Sequence, residues 1–199
     1  MSDCDLKLVL LGEKNVGKTT LFNQKMYGEN LSTRMTMGAY FTKKEFEIKG
    51  ITYDVAVWDT AGEEKFHSLT KIYTRGAHCA IIMYDITSHQ SWKAVNTWMN
   101  ELLSNEDECE IIIVGNKLDL VAQDPSKREI EFTEVQKFAK DKGVLCMEGS
   151  ALSGQNVNQM FETVIRKYVD KNTFEPANNG KVNIDGNNKD SNKCACNVL

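Results

Sequence analysis

The sequence predicts an α/β domain in three layers: a six-stranded, mostly parallel sheet with one antiparallel edge strand, and helices on both faces. Three observations predict it. Apolar runs alternate with helical patterns along most of the 199 residues. Two of those runs, 80–84 and 111–114, are apolar at every position, as strands covered on both faces must be. A loop with two glycines, residues 12–19, stands between an apolar run and a helical stretch, where such sheets carry their ligands.

Strands are predicted over 6–12, 38–48, 51–58, 78–85, 109–115 and 143–148, and helices over 18–27, 64–75, 89–104, 133–142 and 156–171. Lys49-Gly50 reads as a hairpin turn, which makes the second and third strands antiparallel. Phe41, Phe46 and Ile48 alternate with Lys43, Lys44, Glu45 and Glu47 in the second strand. Thr133 with Gln136, and Asn156 with Gln159, have capping-box spacing. Val157, Met160, Phe161, Val164, Ile165 and Tyr168 form the core-facing stripe of the last helix.

Residues 1–171 make one domain. Residues 172–199 are rich in Asn, Gly, Asp and Lys and read as a disordered hydrophilic tail, because they offer little apolar surface to offset the entropy of ordering. The net charge of −4 supplies no basic field for nucleic acid. No stretch is long and apolar enough for a membrane span, and the first apolar run is too short for a secretion signal. Six scattered cysteines, with Cys79, Cys109 and Cys146 in apolar runs, read as reduced thiols of a cytosolic protein. His67, His78 and His89 have no partners at metal spacing.

Gly12-Glu13-Lys14-Asn15-Val16-Gly17-Lys18-Thr19 has the spacing G-x-x-x-x-G-K-[ST]. Backbone N–H groups of such a loop cradle phosphates, Lys18 adds a charge at the β/γ-phosphates, and the Thr19 hydroxyl suits Mg²⁺. The helix that follows adds the positive end of its dipole. Asp59-Thr60-Ala61-Gly62 ends the third strand: Asp59 suits Mg²⁺ through a water, and Gly62 lets its N–H approach a terminal phosphate. In Asn116-Lys117-Leu118-Asp119, the Asp119 carboxylate can accept from the two adjacent N–H groups that guanine offers and adenine lacks. Asn116 and Lys117 can brace the base and tie back to the phosphate loop. An ATP-dependent P-loop kinase or ATPase is disfavoured by this last motif.

With three motifs in order, the chain resembles a Rab-type small GTPase of the Ras superfamily, over residues 5 to 171 and again at the terminus. The matching stretches are 12–19, 58–64, 73–77, 84–87, 115–120 and Ser150-Ala151. Residues 37–41, 66–69 and 156–158 look most like the early-endosomal Rab subgroup. The resemblance implies a P-loop NTPase G domain that binds GTP or GDP with Mg²⁺ and hydrolyses GTP. It implies nucleotide contacts from residues 13–20 (Glu13, Lys14, Asn15, Val16, Gly17, Lys18, Thr19, Thr20), Thr36, Gly62, Asn116, Lys117, Asp119, Ser150 and Ala151. Thr36 aligns with the switch threonine that reaches Mg²⁺, and the Ala151 N–H with the donor to the guanine oxygen. Phe41, Trp58 and Tyr73 align with aromatic residues presented to effectors. An exchange factor, a GTPase-activating protein and a prenyl-binding escort or GDP-dissociation inhibitor are implied as partners of a monomer in endosomal vesicle traffic.

The chain departs from that pattern at four places. Glu63 stands where the family has the Gln that orients the attacking water, so Glu63, with Lys18 and Gly62, is the expected catalytic group. Lys14 replaces a small or short polar residue, and either neutralises charge at the γ-phosphate, obstructs an incoming arginine, or points into solvent. The first switch is one residue shorter than usual and lacks an aromatic residue for the base. Leu152 replaces the usual Lys beneath it. Fewer guanine contacts imply faster nucleotide release. Cys196-Asn197-Val198-Leu199 reads as a prenylation motif, and Cys194 makes a C-x-C pair, implying two lipids on the cytosolic face of an intracellular membrane. A guanine-nucleotide-binding scaffold with little hydrolysis is the alternative function.

Overall fold

The computed structural model describes residues 4–29, 38–62, 67–106 and 108–172. Glu63, Thr36, Cys194 and Cys196 lie outside the described residues, as does the tail beyond Asn172. The strands are β1 Leu6–Leu11, β2 Ala39–Ile48, β3 Ile51–Thr60, β4 Cys79–Asp85, β5 Glu110–Asn116 and β6 Leu145–Glu148. The helices are α1 Lys18–Tyr27, α2 His67–Thr74, α3 His89–Leu103, α4 Leu118–Gln123, α5 Phe132–Lys142 and α6 Val157–Asn172.

One six-stranded sheet has the order β2-β3-β1-β4-β5-β6, and only the β2–β3 pair is antiparallel. The turn is the predicted one: Ile48 pairs with Ile51, and Lys49 and Gly50 both have positive φ, the hand that matches the twist of the strands it joins. Alternation along β1 divides the core in two. Leu6, Leu8 and Leu10 face Leu21 and Phe22 of α1 and Phe161, Val164 and Ile165 of α6. Val9 and Leu11 face Val95, Trp98 and Leu102 of α3 and Val135 and Ala139 of α5. β4 and β5 are buried throughout because both cores press on them.

Four local expectations are corrected. Thr133 is not a cap: α5 begins one residue earlier, at Phe132, with Glu131 in the cap position and no side-chain cap bond. Asn156 precedes α6, but at φ 63° its side chain donates Nδ2–H to Glu148 O (2.8 Å) instead of accepting from the helix. Phe41 does not share a face with Phe46 and Ile48; it is odd in the strand where they are even, and it is 44 % exposed while they are buried. The short α4, and the 3₁₀ turn Pro125–Lys127 after it, were not predicted, since six residues of helix carry too little periodicity to read.

At the rim formed by the amino ends of the parallel strands, buried Glu110 is clamped between Lys167 (2.9 Å) and Lys171 (2.8 Å) of α6. Burial alone would raise the Glu110 pKa, but hydrogen bonds and charge from the two lysines outweigh it and hold the carboxyl below its ordinary value. Since the folded pKa is depressed, the stabilisation is present above the unfolded value of about 4.3 and is lost as pH falls through the folded one. Glu110→Gln is expected to cost about 1 kcal/mol in urea unfolding at pH 7, allowing for the solvent exposure of Lys171. The difference from wild type is expected to shrink on acidification below pH 4.

Candidate nucleotide site

The carboxyl ends of β1, β3, β4, β5 and β6 meet at the opposite rim, and each delivers a motif. β1 has neighbours β3 and β4 that the chain reaches by leaving in opposite directions, so the loop after it lies at the topological switch point. That loop is residues 12–17, and α1 begins at its Lys18. The Lys18 ammonium, only 6 % exposed, donates to Gly12 O and Glu13 O, both at 2.7 Å. The loop therefore wraps its own lysine. Desolvation pulls the Lys18 pKa down to about 8, against opposing charge from Asp59 and Glu13.

The end of β3 closes on this loop. Thr60 Oγ1 donates to Leu10 O (2.6 Å), and Thr19 Oγ1 donates to the buried Asp59 Oδ2 (2.7 Å). A Cβ at Gly62 would collide with Lys18 Nζ and stand 2.6 Å from Lys14 N, so only glycine permits this approach. Thr20 is half-buried in the first turn of α1. Lys14 and Asn15 are exposed; Lys14 borders a cleft of about 220 Å³ that runs from the phosphate loop to Asp85 and Ser88.

Asn116 ends β5 and is 3 % exposed. Its Nδ2–H donates to Val16 O and its Oδ1 accepts from the Ala151 N–H, both at 2.8 Å. A Cβ at Gly17, whose φ is 98°, would run into the same Asn116 amide. Lys117 adopts φ 72° and pairs with Asp85 Oδ2 at 2.6 Å. Asp119, half-buried in the first turn of α4, accepts from Ser150 Oγ at 2.5 Å. Gly149 N–H donates to Gly115 O (2.9 Å), and Leu118 N–H to Gly149 O (3.0 Å), so the turn after β6 is stitched to the end of β5. Leu152 is 57 % exposed beside that turn.

Phe41, Trp58 and Tyr73 come together beside this rim, with Trp58 immediately before Asp59 in β3. Phe41 stacks on Trp58 with centroids 4.6 Å apart, and the Tyr73 ring lies tilted, 6.3 Å from Trp58. Lys7 Nζ sits 4.5 Å over the Trp58 ring. Two residues that sequence reasoning missed hold the site from behind. One is Asp85, the partner of Lys117. The other is Trp98 of α3, whose Nε1–H donates to Glu13 Oε1 (3.3 Å). Asp85 carried the same sign as Asp59, an acid closing an apolar strand; Trp98 carried none. His78 is structural: its Nδ1 accepts the Lys7 N–H at 2.8 Å.

A phosphate loop at the switch point, an acid and a glycine closing on it from the next strand, and an Asn-Lys-x-Asp turn define a P-loop domain of the Ras-like class. Comparison with known proteins agrees: the model of the Ras family matches residues 7–170. Ras-related protein Rab-5A of Dictyostelium discoideum is 40 % identical over 96 % of this chain and 95 % of its own length. Ras-like GTP-binding protein RYL2 of Yarrowia lipolytica is 38 % identical, over 86 % and 84 %. Ras-related protein Rab-24 of Dictyostelium discoideum is 36 % identical, over 90 % of both chains. The chain belongs to the Ras family and is a Rab-like small GTPase.

The low Lys18 pKa gives a signed expectation. Polyphosphate favours the charged lysine, so binding raises its pKa and takes up a proton wherever the free group is neutral. Affinity for GDP is then full below pH 8 and falls between pH 8 and 9 by up to about tenfold per unit. Calorimetry at pH 8.5 in buffers of different ionisation enthalpy should register the uptake.

Proposed function

We propose that the protein is a switch that binds GTP and GDP, hydrolyses GTP and recruits effectors in vesicle traffic, and that its type is that of the early-endosomal Rab subgroup. The observation that carries this reading is the Asn116 side chain, which joins the phosphate loop to the Ala151 turn beside Asp119. In this reading a base contact and a phosphate contact are held at one fixed spacing.

Each residue has a task. Asp119, held by Ser150, accepts from the base and rejects purines that leave its carboxylate unpaired. The Ala151 N–H, shared with Asn116, faces the guanine oxygen. Residues 13–20 wrap the phosphates, with Lys18 as their central charge. Thr19 and Asp59 are oxygen donors already 2.7 Å apart, the hard-ligand chemistry that suits Mg²⁺. Thr19 directly and Asp59 through a water would hold the ion, which would supply charge stabilisation at the phosphate oxygens. Thr36 and Gly62 sense the terminal phosphate, and their release after hydrolysis is what partners read. Glu63 accepts from the attacking water but, ionised, cannot donate, and it opposes a polyanion. Unassisted hydrolysis is therefore slow, and that residue also favours the second reading, a nucleotide-binding scaffold with little turnover.

The Phe41–Trp58–Tyr73 face takes effectors. An exchange factor, a GTPase-activating protein and a GDP-dissociation inhibitor act on the cycle. Cys194 and Cys196 take prenyl groups that hold the protein on the cytosolic side of an intracellular membrane.

Chromatography of the nucleotide that co-purifies should give GDP or GTP and no adenine nucleotide. With Mg²⁺, single-turnover hydrolysis by Glu63→Gln should exceed wild type by about tenfold or more, given that a misplaced water-orienting group costs that order. Equal rates with and without an activating protein would remove Glu63 from the reaction. Cys194→Ser should lower the membrane-bound fraction, as expected when one of two lipids is lost.

A further inference from the structure

Lys117 is a non-glycine residue in the left-handed region, and such a conformation persists only where its surroundings hold it. Asp85 is the holder. It is 8 % exposed at the end of β4, directly opposite Asn116 in the parallel register. One carboxylate oxygen, Oδ1, accepts from Thr87 N–H (2.9 Å) and Thr87 Oγ1 (2.7 Å). This fixes the plane of the carboxylate and leaves Oδ2 aimed at Lys117 Nζ, 2.6 Å away. The backbone around it is also tied: Ser91 Oγ of α3 is bonded to both Asp85 N (3.0 Å) and Asp85 O (3.3 Å), and Ile86 N–H donates to Asn116 O (3.1 Å). The start of α3, the end of β4 and the base-reading turn thus form one unit whose centre is this carboxylate.

We propose that Asp85 is a positioning residue for nucleotide binding: it locks Lys117, and through it the turn carrying Asp119, against the phosphate loop, so that its loss speeds nucleotide release. This rests on the guanine-nucleotide reading above. Two effects of removing the carboxylate oppose each other. A negative charge near a polyphosphate disappears, which favours binding; the clamp on Lys117 disappears, which loosens the base contact. The part-buried, doubly hydrogen-bonded pair outweighs a through-space charge that solvent screens, since hydrogen bonds to charged groups are the stronger class.

The test is release of N-methylanthraniloyl-labelled GDP, chased with excess GDP in Mg²⁺ buffer, for wild type, Asp85→Asn, Lys117→Met, the double variant and Thr87→Val. Asp85→Asn is expected to release the label about tenfold faster, and Thr87→Val, which removes one of the two hydrogen bonds that orient the carboxylate but keeps the charge, about threefold faster. The double variant is expected to match the faster single variant within about twofold, because both substitutions break one link. Release by Asp85→Asn that is unchanged, or slower as a purely repulsive charge would give, overturns the role. So does a double variant whose effects multiply. Should Asp85→Asn fail to fold by circular dichroism, Thr87→Val decides alone, and unchanged release there overturns the proposal. Wild type that binds no labelled GDP overturns the nucleotide reading itself, and the role with it.

Discussion

Asn116 reaches in two directions from the end of β5, to Val16 O in the phosphate loop and to the Ala151 N–H in the turn after β6. The amide is buried, so both bonds must be made together or a polar group is left without a partner at a cost of roughly 1–3 kcal/mol. Three loops far apart in sequence are held at one spacing by a single side chain with one donor face and one acceptor face. Asp would lack the donor and Leu would lack both. The absence of a side chain at Gly17 belongs to the same constraint, since the amide occupies the space a Cβ would need.

The sheet makes that spacing rigid. Its central strands are covered on both faces by separate cores, one from α1 and α6 and one from α3 and α5. Their carboxyl ends are fixed in register from Leu10 opposite Asp59 to Asp85 opposite Asn116. Gly62, Asp119 and Ala151 stand two or three positions beyond the last paired residue of their strands, where the backbone is free to turn but its origin is not free to move. Trp98 extends the support from the side, joining the core of α3 to Glu13 in the loop itself.

Much of this was legible from the chain because strand periodicity and glycine spacing are local. The antiparallel pair needs only the hairpin at Lys49-Gly50, and the parallel remainder only the alternation of strands and helices, whereas the strand order is not local and came from the fold. The phosphate loop and Asn-Lys-x-Asp turn are short, and their chemistry can be stated residue by residue. What escaped was non-local or underdetermined. Trp98 lies in the middle of a helix, and nothing near it in sequence points to Glu13. Phe41 was grouped with Phe46 and Ile48 although strand parity sets it on the other face, where Trp58 across the hairpin receives it. Asn156 had the composition of a cap, yet its left-handed backbone turned the side chain toward Glu148.

The clamp on Glu110 has a geometric outcome. α6 runs antiparallel to the central strands, and Lys167 and Lys171 fasten its last turns to the amino-end rim, with Asp170 also meeting Lys49 at the hairpin tip (2.6 Å). The final described residue, Asn172, therefore emerges on the far side of the sheet from Lys18 and Asp119. The end of the last helix and the rim that carries Lys18 and Asp119 are thus kept at opposite poles of the domain by three ion pairs.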